Sequence, residues 1–255
     1  MNRLDGVPLE DMVRLAVLAG EVMLRNGAET SRVEETMRRI ALACGAAAAE
    51  CFVIPTGVFL TVTDASGRPL TTMRRITART INLDRIAKVN ELSRRLADGR
   101  LDHAGAMALL VRIARERTGF SLLPSMFASG LVGGGYGVLQ SAGAGEVAAA
   151  LLTAMAVRYI AHVVSRLQGV QFTFEFLGAV TAAVVGSLAH YSWPQFDRDV
   201  IVISGLMPLV PGMAITNAIR DVIAGDLLSG LSRGLEAALT AVAVAMGVVI
   251  VLAVM

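Results

Sequence analysis

Around Gly119 this chain changes solvent. Residues 1–118 carry 18 of the 23 Lys and Arg side chains and 14 of the 21 Asp and Glu, and residues 119–255 carry the remaining 5 and 7. The first part is therefore about +4 (18 − 14) and the second about −2 (5 − 7). The long apolar stretches all lie in the second part, where charged side chains would be costly in hydrocarbon. A small water-soluble domain over 1–118 followed by a membrane domain over 119–255 is expected. That division leaves transport, or signalling or catalysis anchored to a membrane, and argues against a free cytosolic enzyme.

Met1–Gly20 is interrupted by Arg3, Asp5, Glu10, Asp11 and Arg14, and so lacks the apolar run of a secretory signal. The first domain is expected to stay in the cytoplasm. Both cysteines, Cys44 and Cys51, lie in it, where a reducing compartment disfavours a disulfide. They read as buried thiols. With His103 they fall short of the four ligands of a structural zinc site, so neither a metal nor a cofactor is expected.

A spanning helix needs about 20 mostly apolar residues. Five segments qualify: Phe120–Gln140, Val147–Arg166, Phe172–Tyr191, Val200–Ile219 and Leu235–Met255. Arg112, Arg115 and Arg117 abut the first, and Arg166, Arg220 and Arg233 fall in connections on the same side. The positive-inside bias then puts the N-terminus in the cytoplasm and Met255 outside. Tyr191, Trp193 and Phe196 fall where an outer aromatic belt would be. Ser125, Ser129, Gly133 and Gly137 in the first span, and Gly178, Ala182 and Gly186 in the third, are small residues at intervals of four. Such stripes let helices approach closely and predict a tight bundle.

The fourth span is the sharpest local signal. It reads Gly205-Leu-Met-Pro208-Leu-Val-Pro211-Gly212 at its centre. Each proline removes a backbone donor and clashes with the preceding turn, so the helix should break between Pro208 and Gly212. Irregular backbone at mid-bilayer is tolerated only inside protein or against a watery cavity. A half-helix starting near Met213 would aim its free amides there, a suitable place for a carboxylate. Thr216 and Asn217 add a hydroxyl and an amide one turn on. The plain alternative is a proline kink that serves packing alone.

Arg158, His162 and Glu175 are ionisable groups within the second and third spans. With an inner turn centred on Leu167–Val170, His162 and Glu175 would share a depth and could relay a proton. Alternatively Arg158 and Glu175 snorkel to the interface or pair with each other. The stretch from Asn217 to Glu236 alternates apolar and polar residues at helical spacing, with Gly225 and Gly230 as hinges. It reads as an amphipathic inner-face segment or as a solvated connection.

In the soluble part, Leu9–Asn26 has a helical apolar face and Gly27 stops it. Ser31 and Glu34 are spaced as a capping box opening a second helix. Cys51–Ile54, Val58–Thr63 and Leu70–Ile76 read as strands, and Leu83–Leu96 and Asp102–Arg117 as helices. The result is a small α+β domain. Its basic run, Arg74, Arg75, Arg79, Arg85 and Lys88, lacks the aromatic platforms of a nucleic-acid surface, and an anionic leaflet nearby suffices to explain it. A Ser–His–Asp hydrolase would have to use His103, which sits beside Asp102 at a helix start.

Three motifs then converge. Gly27-Ala-Glu29-Thr30-Ser-Arg32-Val33-Glu34, Asn82-Leu-Asp-Arg85 with Val89-Asn90, and Pro208-Leu-Val-Pro211-Gly212 through Thr216-Asn217-Ala-Ile-Arg220-Asp221 resemble the threonine/serine exporter family over essentially the whole chain. The resemblance implies a proton-coupled secondary exporter of small polar metabolites in the bacterial inner membrane. It points to Pro208, Pro211, Gly212, Thr216, Asn217, Arg220 and Asp221 as substrate residues, and to Glu29, Thr30, Arg32, Glu34 and Asn82 as a motif of the cytoplasmic domain. The single-chain form of the family has roughly twice as many spans. This chain is similar to the larger subunit of the split form, associated with succinate export, which works with a small all-membrane partner. A carboxylate-bearing solute, an amino acid or a dicarboxylate, is the expected substrate. A membrane-anchored hydrolase and a sensor or scaffold are the competing readings.

Overall fold

The structure, a computed structural model, describes residues 7–116, 119–166 and 172–255. The early charges Arg3 and Asp5, Arg117 and the expected inner turn at Leu167–Val170 lie outside the described residues. The chain divides into two compact units. One holds residues 7–116 together with Ile215–Gly234, and the other holds Gly119–Ala214 together with Leu235–Met255.

The first unit is built on α1 (Leu9–Arg25) and α2 (Thr30–Ala43), a meander of β1 (Ala48–Ile54), β2 (Gly57–Thr63) and β3 (Pro69–Arg75), then α3 (Leu83–Ala97) and α4 (His103–Arg115). The strands are antiparallel in the order β1-β2-β3, with Val53 opposite Val58 and Leu60 opposite Thr72. Alternation along the strands gives the sheet one dry face, where Val53, Val58, Leu60 and Val62 are fully covered. Leu15 and Met23 of α1, Met37 and Ile40 of α2, Leu92 of α3 and Leu110 of α4 complete that core. Gly20 lets α1 and α2 close up, since a Cβ there would collide with the Met37 thioether.

Two sequence expectations change in this unit. The Ser31/Glu34 capping box does not form: α2 starts two residues earlier with Glu29 at its cap, and the Glu34 carboxylate instead accepts the backbone N–H of Val53 at 2.8 Å. A buried β-strand donor nearby competes with the helix end for the same oxygen. Two members of the basic run, Arg74 and Lys88, are paired locally. Arg74 faces Glu21 at 3.4 Å, and Lys88 faces Asp84 at 2.8 Å and Glu116 at 2.7 Å.

In the second unit, α5 (Leu122–Leu139), α6 (Ala144–Arg166) and α7 (Thr173–Ser192) are long and apolar enough to cross a membrane. The same test is met by α10 (Leu227–Val254). A fifth candidate is the bent pair of α8 (Arg198–Leu206), extended by a 3-10 turn over Met207–Leu209, and α9 (Gly212–Ile223). The expected stripes are where helices meet. Ser129, Gly133 and Gly137 of α5 are buried, as are Gly178, Ala182 and Gly186 of α7, while Ser125 is only half-buried and meets α6 through Arg158. A Cβ on Gly133 would come within 2.6 Å of the Ala154 Cβ and 3.0 Å of the Ala150 and Ser204 carbonyls. One on Gly247 would lie 2.6 Å from the Phe176 carbonyl, so α10 passes α7 at backbone distance.

The last helix begins eight residues before the expected Leu235, at Leu227. The connection expected around Arg220 and Arg233 is helical: Arg220 lies on α9, and Arg233 lies on α10, buried and paired as described below. The stretch 217–236 is accordingly a helix–turn–helix. Gly225, at φ +93°, makes the turn. Gly230 is no hinge: it sits inside α10, where a side chain would strike Val222 and the Ala218 carbonyl of α9.

Candidate functional site

The described residues present two features that chemistry can use, one in each unit. In the second unit the interruption is complete. Neither Pro208 nor Pro211 has an N–H, and Val210 between them is extended at φ −62°, ψ 125°. The Val210 N–H reaches back to the Met207 carbonyl at 3.3 Å, and the Gly212 N–H to Val210 at 2.8 Å. These two short turns replace helical bonds, and α8 and α9 diverge by 57° across them. Leu209 anchors the break, buried with Val157 and Ala182 and fitted over Gly178. Pro208 is exposed, Pro211 and Met213 are half-buried, and Gly212 and Thr216 are exposed.

Arg158 is exposed and donates from Nε to Ser125 Oγ at 2.7 Å, and it makes no ion pair with Glu175 among the described residues. His162 is half-buried on α6. Glu175 is 8% exposed, and its Oε2 finds no hydrogen-bond partner among the described residues. Glu236 is close enough to act on it electrostatically. Ser187 and Ser204, also buried, leave their hydroxyls without partners among the described residues. Unpartnered polar atoms in an otherwise apolar bundle are rare.

The second feature, a polar latch, gathers the residues that the sequence motifs singled out in the first unit. Helix α1 ends in a reversal at Gly27, φ +91°, closed by Ala28 N–H to Met23 and Gly27 N–H to Leu24. The strand-like stretch before α3 holds this reversal, with Thr80 N–H on the Arg25 carbonyl and Asn82 N–H on that of Asn26. Asn82 also caps α3 by accepting Arg85 N–H at 3.0 Å. The carbonyls of residues 27 and 28 are thus presented to the segment 215–234. Asn217 Nδ2 donates to the Gly27 carbonyl at 2.9 Å, and Arg233 Nη2 to that of Ala28 at 2.7 Å.

Beside them Asp221, fully buried, accepts both the Thr30 N–H at 3.2 Å and the Thr30 hydroxyl at 2.8 Å. Its other oxygen lies 3.0 Å from Arg233 Nε in an ion pair that is 9% and 0% exposed on its two sides. Arg220 donates to Glu29, which also faces Arg32 at 3.7 Å, and Asp226 shares the Thr30 hydroxyl at 3.1 Å. Burial holds the Glu34 carboxyl above the usual glutamate range, outweighing the Val53 hydrogen bond; Asp226 pushes the same way and Arg38 opposes. Asn217, Arg220 and Asp221 therefore each direct a polar atom to the 27–30 turn. Arg233, which completes the cluster, was missed because nothing in its local sequence distinguishes it from an interface arginine.

The remaining candidates are structural. Asp102 caps α4 by accepting Gly105 N–H at 3.0 Å, and His103 Nε2 lies 3.3 Å from the Asp11 carbonyl. Burial pushes the Cys44 thiol up to about 11 and the Cys51 thiol likewise, with Glu34 adding to the latter. No group of three or more metal-ligating side chains occurs among the described residues.

Comparison with known proteins agrees with the motifs. Residues 14–255 match the family described as "Putative threonine/serine exporter". The chain is 25% identical over 242 residues to a protein of Escherichia coli K12 named "Probable succinate transporter subunit YjjP", covering 94% of this chain and 93% of that one. It is likewise 25% identical over 241 residues to the Klebsiella aerogenes protein of the same name, covering 93% and 92%. A Mycobacterium tuberculosis protein named "Probable threonine/serine exporter" is 23% identical over 253 residues, 97% of this chain but 47% of that longer one. No solved structure matches significantly. With a family match running over nearly its full length, this chain belongs to the threonine/serine exporter family.

Proposed function

We propose that this protein is one subunit of a secondary exporter of small carboxylate-bearing metabolites, threonine and serine or a dicarboxylate such as succinate. The observation that carries the reading is the break between α8 and α9. Two prolines and an extended residue interrupt an otherwise span-sized apolar segment, and α9 restarts at Gly212, where the Gly212 N–H is taken by Val210 and the amides that follow it have no preceding helix to bond to. Such an end attracts a carboxylate. Pro208, Pro211 and Gly212 shape that end, and Thr216 adds a hydroxyl one turn on. Asn217, Arg220 and Asp221 then belong to the latch on the 27–30 turn instead of touching the solute.

Proton coupling is assigned to Glu175, on the strength of its burial, its unpartnered oxygen and the like charge of Glu236. His162 and Arg158 are the further relay candidates. This chain spans 47% of the length of the Mycobacterium tuberculosis relative, and the two relatives of matching length are named as subunits. A second, all-membrane chain is therefore part of the reading. The proposed setting is a bacterial inner membrane, with residues 1–118 in the cytoplasm and Met255 outside.

The test is genetic. Cells lacking this chain should accumulate the exported carboxylate. Complementation with Pro211→Ala should fail to restore efflux although the variant reaches the membrane at normal level. Normal efflux through Pro211→Ala would remove the site assignment.

A further inference from the structure

A cavity of about 300 Å³ opens between α2 and α3, in the first unit and apart from the break. Its lining is wholly polar, and five of its seven residues are charged. Arg32, Glu35 and Arg39 project from successive turns of α2, Asn90 and Arg94 from successive turns of α3, and Glu29 closes the end beside the α2 N-terminus. The floor is ordered by two bonds across the groove, Thr36 Oγ1 to Asn90 Oδ1 at 3.2 Å and Arg39 Nη1 to Ser93 Oγ at 3.3 Å.

Three arginines face two glutamates, so one positive charge is in excess (3 − 2). Arg39 pairs with Glu35, and Arg32 stands 3.7 Å from Glu29. Arg94 has no ion-pair or hydrogen-bond partner for its side chain among the described residues. A mixed-sign pocket of this size with one uncommitted guanidinium suits a compact solute bearing one carboxylate. The glutamates and Asn90 are placed for an ammonium or hydroxyl on the same molecule.

From this arrangement we infer that the α2–α3 pocket is a regulatory site for a small carboxylate-bearing solute, separate from the transport site. Glu29 gives it a route to α9. One carboxylate faces Arg32 inside the pocket and accepts from Arg220 of α9. A solute that draws Arg32 away leaves Glu29 to Arg220 alone, and one that presents an ammonium to Glu29 competes with Arg220. Either event changes how firmly α9, the helix that follows the break, is held to the 27–30 turn. This goes beyond the transport reading and does not require it.

The experiment is isothermal titration of the full-length chain in lipid nanodiscs with succinate and with L-serine as probes, in wild type and in a Pro211→Ala background. At least one probe should saturate a site that survives Pro211→Ala. Arg94→Gln should weaken that site about tenfold or more, and Arg94→Lys should recover part of the loss. Arg94 is exposed, so neither variant threatens the fold. In parallel, the bound probe should alter hydrogen exchange across residues 215–224, and Arg220→Gln should abolish that response. Absence of Arg94-dependent binding by either probe up to about 10 mM overturns the site, a concentration well above a millimolar Kd. Unaltered exchange in wild type overturns the regulatory role. Arg94-dependent binding alongside normal efflux through Pro211→Ala would leave this inference standing while the transport-site assignment falls.

Discussion

Breaking the Asp221–Arg233 pair is the perturbation whose size the structure sets most closely. The two groups are 0% and 9% exposed and 3.0 Å apart, so solvent screens them little. Asp221→Asn keeps a carbonyl oxygen for the Thr30 N–H and hydroxyl but removes the charge, leaving the Arg233 guanidinium buried against neutral groups. Stranding one member of a buried pair costs about 3–5 kcal/mol. If that cost falls on the local opening of the 27–30 turn from residues 215–234, amide exchange there should accelerate about a hundredfold to a few thousandfold. Exchange in the α1–sheet core should change far less. Arg233→Met should do the same by stranding Asp221. Combined with Asp221→Leu it should cost less than either charge-stranding change alone, because no unpaired charge is left. Hydrogen exchange with mass-spectrometric readout on the full chain measures this directly. Additive effects, or an Asp221→Asn profile indistinguishable from wild type, would refute the claim that the pair closes the latch.

Other expectations follow from the same structure. The Glu34 carboxyl sits above its ordinary value in the folded chain, so below that ordinary value it is protonated in both states and stability is full. As pH rises from the ordinary glutamate value through the raised one, the folded state loses stability relative to the unfolded. Glu34→Gln, which keeps an acceptor for the Val53 N–H, should flatten thermal stability as pH rises above the ordinary glutamate value, and an unchanged profile would reject the assignment. Gly133→Val should destabilise the membrane unit by about 1–3 kcal/mol through overpacking, read as a lower thermal midpoint in detergent; an unchanged midpoint would contradict the close α5–α6 packing. With both thiols pushed up to about 11, Cys44 and Cys51 should react slowly with iodoacetamide at pH 7.5 in the native chain and quickly after denaturation.

Much of this was legible in the sequence, for identifiable reasons. The stripes Ser129-Gly133-Gly137 and Gly178-Ala182-Gly186 lie at helix contacts because small residues at intervals of four have one efficient use in an apolar bundle. The break at Pro208–Gly212 was readable because two missing N–H groups leave a helix no way through. The three strands appeared within a few residues of their bounds because their alternation is local. What failed was non-local. Glu34 looked like a capping-box partner until Val53, nineteen residues away, took its oxygen. Arg233 looked like a loop charge because its partner, Asp221, and the Ala28 carbonyl reach it only through tertiary packing. The role of 215–234 as a partner of the first unit rests on the same long-range contacts, and sequence spacing carries no trace of them.

Carboxylate export through the interrupted span is the central claim. Counterflow of labelled succinate and labelled serine in membrane vesicles holding this chain and its proposed all-membrane partner tests that most directly. Saturable flux of at least one solute, cut about tenfold or more by Pro211→Ala at equal protein level, is the predicted result. Equal flux through wild type and Pro211→Ala, or no carrier-dependent flux of either solute, would contradict it.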